Sequence, residues 1–112
     1  MIRDKSLLQK REPNSPCEDA KKEGYAQVPK LNEALQGYPE SKELTKVREF
    51  QQAMTAAAGQ QDNDHYQKII AAYDLADAAL AASSEPKAAQ VREEAKKMMD
   101  IVNKIAPLCQ AP

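Results

Sequence analysis

The sequence predicts an all-α fold: a small up-and-down four-helix bundle, its first helix kinked at Pro29 and its ends tied by a Cys17–Cys109 disulfide. Three observations carry that expectation. From Ala88 onward, Ala88, Val91, Ala95, Met98, Val102, Ile105 and Cys109 recur at alternating gaps of three and four, the spacing of one helix face. An earlier segment shows a similar period through Cys17, Gly24, Val28, Leu31 and Leu35. The two cysteines stand at the two ends of the periodic region, at no metal or redox-motif spacing. An even number of antiparallel rods returns the chain to the pole where it began, whereas three would leave the cysteines at opposite poles. A bridge across a loop of that length contributes roughly 4–5 kcal/mol in the chain-entropy account.

Composition agrees with a thin, helical core. Leu, Ile, Val and Phe make up only 18 of 112 residues. Alanine fills the remaining apolar positions; it is the best helix former but buries little surface. Helices faced with alanine approach closely, and the disulfide then matters more to stability. With 16 basic and 17 acidic residues, the chain has no bulk electrostatic reason to bind nucleic acid or an anionic membrane. The long apolar tract Ala71–Ala82 is interrupted by Asp74 and Asp77, so no membrane span is expected.

Residues 1–14 are charged, with Ile2, Leu7 and Leu8 their sizeable apolar side chains, and are expected as an amino-terminal tail. The alternative is a single helical turn docking those leucines on the bundle. The bundle itself is expected over 15–109, with 110–112 a short carboxy-terminal tail. Ser15-Pro16-Cys17-Glu18 matches a capping box that starts the first helix. Pro29 falls inside its pattern, predicting a kink, with two separate helices as the alternative. Gly37-Tyr38-Pro39 ends it.

The second helix starts at Ser41, presents Leu44, Val47, Phe50, Met54 and Ala58 on one side, and stops at Gly59. The following polar turn, Gln60 to Asp64, supplies aspartates to cap the third helix. That helix has two apolar stripes. Tyr66, Ile69, Tyr73, Ala76 and Leu80 form the expected core face, while Ala71, Leu75, Ala78 and Ala82 lie nearly opposite. Ser83-Ser84-Glu85-Pro86 separates the third helix from the fourth, which Pro107 is expected to close. The stretch Asp64 to Tyr73 resembles the second helix of a tetratricopeptide unit. The helix before it lacks that repeat's aromatic and Leu-Gly positions, and no second copy follows at the repeat period.

Catalytic chemistry finds little to work with. His65 is the sole histidine; with Asp62 and Asp64 it lacks the ligand set of a zinc or EF-hand site, and helix capping accounts for both aspartates. A thiol–imidazole pair would need Cys17 or Cys109, which a bridge consumes. Glu93 and Glu94 sit among Arg92, Lys96 and Lys97 on a charged helix face. Met54 and Met98 fall on core stripes, where methionine fills gaps, so neither they nor Met99 argue for a metal or haem. Arg3, Lys5, Lys10 and Arg11 are too sparse and too far from aromatics for nucleic-acid binding. No enzyme, metal or cofactor is expected.

The functional expectation is therefore recognition of another protein by an exported adaptor, inhibitor, immunity-type protein or envelope chaperone. The surface would be Ala71, Leu75, Ala78 and Ala82, with Tyr73 at its edge, and homodimerisation through it is an option. A second possibility is a small-ligand carrier whose pocket lies between helices near Pro29, lined by Tyr25, Val28, Tyr66 and Tyr73. A third is a cytosolic tetratricopeptide-like adaptor, which requires free and distant cysteines. The disulfide argues for a periplasmic or secreted protein. Met1 to Lys5 lack the apolar core of a secretion leader, so an exported chain of this sequence would be a mature form.

Overall fold

Helices α1 (Pro16–Leu35), α2 (Lys42–Ala56), α3 (Asn63–Ala82) and α4 (Ala88–Cys109) follow one another in the computed structural model, which describes residues 16–57 and 62–109. Short connections make successive helices antiparallel. Helix α4 packs against both α1 and α3, and α2 packs on α3. The remaining seam, between α1 and α2, is bridged by a hydrogen bond from Gln51 Nε2 to Asn32 Oδ1 at 2.8 Å. No helix among the described residues is long and apolar enough to cross a membrane.

Cys17 and Cys109 are joined, with their Cα atoms 5.0 Å apart. The start of α1 and the end of α4 meet at one pole, as the even helix count requires. Tyr38 marks the other pole, buried beneath the α1–α2 connection. Its hydroxyl donates to Glu43 Oε2 at 3.0 Å, and Ser83 Oγ donates to the same oxygen at 2.6 Å. Those donors tie both connections at that pole to α2. Gly37, at φ 75°, supplies the left-handed residue that ends α1.

The core follows from helix α4's central place. Ala88, Val91, Ala95, Met98, Val102 and Ala106 are buried along it, and so is Met99, one position off the expected stripe. A helix with neighbours on two sides needs a wider apolar face than one with a single neighbour. Phe50, Leu31, Val47 and Val91 are the largest fully enclosed side chains. Phe50 stacks obliquely on Tyr73, with ring centroids 5.4 Å apart.

Helix α1 buries Gly24 and Leu31 of its expected apolar face, but that face is turned toward Ala20, Gln27 and Ala34 and away from Val28. Ala20, Gly24, Gln27, Leu31 and Ala34 are buried, whereas Val28 is 39% exposed. Small side chains let α1 lie close to α4. Gln27 is held there because its Nε2 donates to Glu94 O at 3.0 Å and Glu94 Oε1 at 2.8 Å. A buried amide with two acceptors is tolerated where an unpaired one would be costly. Lys104 and Glu23, 2.6 Å apart, add an ion pair across the same interface.

Three helix boundaries refine the sequence reading. One continuous helix passes through Pro29, so the two-helix alternative falls; Pro29 lacks the N–H that would bond the Tyr25 carbonyl, and both residues are exposed. Helix α2 ends at Ala56, with Ala57 as its cap, earlier than the expected stop at Gly59. Helix α4 continues through Pro107 to Cys109 rather than closing there. Proline removes just one bond from that last turn, and the disulfide holds the turn in place. Ser41 caps α2 as expected, accepting from Leu44 N at 3.3 Å. The Ser15 cap, Ala58 and Gly59, the 1–14 segment and the 110–112 tail lie outside the described residues.

Replacing both cysteines by serine should lower unfolding free energy by about 4–5 kcal/mol, read from urea unfolding under non-reducing conditions. Gly24→Ala should act in the opposite sense. Its new Cβ would stand 3.6 Å from Ile101 Cγ2 and Ile105 Cδ1, an ordinary contact. Relief of glycine's helix penalty should raise stability by roughly 0.5–1 kcal/mol, seen as a higher urea midpoint at unchanged slope.

Candidate functional site

Helix α2 has 15 residues against 20 in α1, so it falls short of the disulfide pole. Beyond its end, α1 has α4 on one side and nothing of α2 on the other. The result is a cleft of about 440 Å³ in the half of the molecule nearest the disulfide, walled by all four helices. That volume lies within the range of pockets that take small organic ligands.

The walls are largely apolar. Val28 and Leu31 come from α1, Met54 from α2, Ile69 from α3, and Met98, Val102 and Ile105 from α4. Tyr25, 67% exposed, stands at the mouth beside Val28. Gly24 keeps the floor open where α1 meets α4, since any side chain there would face Met98, Ile101 and Ile105.

The polar groups of the lining bond mainly to one another or to the backbone. Gln51 donates to Asn32, and Thr55 Oγ1 donates to Gln51 O at 3.0 Å. Tyr66 donates its hydroxyl proton to Asn103 Oδ1 at 2.7 Å. Asp62 caps α3, accepting from His65 N at 2.9 Å and lying 2.7 Å from His65 Nδ1. The His65 amide first, and then its ring, hold the Asp62 carboxyl below its ordinary value. Lys21 differs. Its Nζ lies 3.7 Å from Glu18 Oε2, a loose pair for a side chain that is 27% exposed.

An imidazole oriented by a carboxylate is half of a hydrolytic arrangement, and among the described residues no free thiol is present to complete it. Both thiols are spent on each other, and the Thr55 and Tyr66 hydroxyl protons point to other acceptors. Among the described residues, no three His, Cys, Asp or Glu side chains gather into a group that could hold a metal ion.

Of the four residues expected at a pocket near Pro29, Tyr25, Val28 and Tyr66 stand on the walls of this cleft. Tyr73 does not. It lies seven residues, about two turns, farther along α3 than Tyr66 and packs on Phe50 instead; burial raises its phenol above the ordinary value. Sequence reasoning missed the α2 and α4 contributions, Met54, Met98, Val102 and Ile105, because core periodicity reads the same whether the facing space is filled or open. The early end of α2 was the missing signal. On the outer side of α3, Ala71, Leu75, Ala78 and Ala82 are all exposed, Leu75 by 54%.

These features define an α-helical bundle with an open interhelical cleft. Compared with known proteins, the chain matches no family model, no curated protein and no solved structure.

The Asp62 cap has a pH signature. Its carboxyl is depressed on folding, so its contribution is present above the unfolded value near 4 and disappears as pH falls through the lower folded value. Asp62→Asn preserves a capping side chain but not the charge. The variant should therefore lose less stability than the wild type between about pH 5 and pH 2, measured by urea unfolding across that interval.

Proposed function

We propose that the protein is a non-catalytic carrier of a small, predominantly apolar ligand, held in the cleft between α1 and α2. One observation carries this reading: a cavity of about 440 Å³ with apolar walls, most of whose polar groups are already bonded within the protein. An apolar guest leaves those bonds intact and gains from burying its surface. A guest rich in hydrogen-bonding groups would have to compete with them. The disulfide supports residence in an oxidising compartment, periplasmic or extracellular. The tetratricopeptide-like adaptor requires free, distant cysteines, and these two are bonded.

A second reading is recognition of another protein through the outer stripe of α3. Its support is Leu75, a large apolar side chain 54% exposed between the small residues Ala71 and Ala78. Tyr73 contributes only an edge there, since its ring is half-buried against Phe50. The two readings use different faces, so single substitutions separate them.

The fluorescence of N-phenyl-1-naphthylamine, a neutral apolar probe, provides the test. It should rise saturably on addition of the wild-type protein. Met54→Trp, which fills the cleft from its partly buried α2 wall, should weaken that binding at least about tenfold, or about 1.4 kcal/mol. Leu75→Asp should leave it unchanged. Circular dichroism checks that both variants remain helical. Equal binding by Met54→Trp and wild type contradicts the carrier reading.

A further inference from the structure

The wall chemistry narrows the ligand further, on the footing that the cleft is a carrier site. We propose that the ligand is a single-chain amphiphile with a carboxylate head, its head at Lys21 and its chain along the apolar walls. The lining's charged groups are unequally engaged. Asp62 already accepts from the amide and is paired with the ring of His65, at 2.9 and 2.7 Å. Lys21 carries three N–H donors and has its carboxylate partner only at 3.7 Å. A carboxylate arriving at the cleft thus finds a cation with donors to offer. An arriving cation finds a carboxylate already committed to its helix cap.

Position agrees with charge. Lys21 lies one turn from Cys17, at the disulfide end of the cleft, and Asn32, exposed at its other end, is eleven residues farther along the same helix. That separation is about 16 Å, comparable to an extended dodecanoyl chain. Along it the facing walls are Met98, Val102 and Ile69, with no unbonded polar side chain among them. Burial of a methylene chain supplies affinity there, and the ammonium selects the head.

Displacement of N-phenyl-1-naphthylamine by dodecanoate, dodecanol and dodecyltrimethylammonium, each below its micelle threshold, tests the assignment. The three share a chain and differ in head charge. Dodecanoate should displace the probe at about tenfold lower concentration than dodecanol, the worth of one charge-assisted hydrogen bond at a part-exposed site, and the cation should be weakest. Lys21→Met should bring dodecanoate to the level of dodecanol without changing dodecanol, and Lys21→Arg should restore the difference. Equal displacement by all three overturns the head assignment while leaving an apolar carrier. The same holds for a carboxylate preference that survives Lys21→Met. Failure of the probe to bind removes the carrier reading and this one together. Probe uptake only after deletion of residues 1–14 also overturns it, since the occupant is then the chain's own Leu7 and Leu8.

Discussion

The close approach of α1 to α4 is the contact on which the rest of the molecule depends. Helix α1 has one extensive neighbour, and it meets that neighbour through Ala20, Gly24 and Ala34, with Leu31 and a bonded Gln27 between them. Small residues offer little burial per position, so the interface needs further support. The disulfide supplies it at one end and Leu31, fully enclosed, toward the other. Because α1 is secured on the α4 side, its opposite flank does not have to be packed. A short α2 can then leave a cleft without releasing the first helix.

That division of labour links composition to the cleft. A chain poor in Leu, Ile and Val cannot fill a four-helix interior from pole to pole. Phe50, Val47, Leu44 and Leu80 are buried in a core cluster that continues through Leu31, Ile69, Met98 and Val102. The half nearest the disulfide is walled rather than filled, by methionines, isoleucines and a glycine. Covalent closure at the open end offsets the missing packing there. Met54 and Met98, both flexible side chains, stand on those walls.

The fold was legible in the sequence because three independent signals agreed: helical spacing, turn residues, and the placement of two sulfurs. The even helix count followed from cysteine geometry alone. Less legible was which face of α1 points inward. Val28 is the obvious apolar candidate and Gln27 is the residue actually buried, because the Glu94 carbonyl and carboxylate on a distant helix satisfy its amide. No local pattern carries that information. The same limit hid half of the cleft: Tyr25, Val28 and Tyr66 could be placed near Pro29, but Met54 and Val102 read as ordinary core until the end of α2 was known. Pro107 misled for a related reason, since a long-range bond sustains the turn it would otherwise terminate.

The most direct measurement is the set of intermolecular nuclear Overhauser effects between a bound apolar probe and the protein's methyl groups. Contacts are expected to the methyls of Met54, Ile69, Met98 and Val102, and none to Leu75 on the outer face of α3. Contacts confined to Leu75 and its alanine neighbours, or none to any cleft methyl at saturating probe, would contradict a guest seated in the cleft.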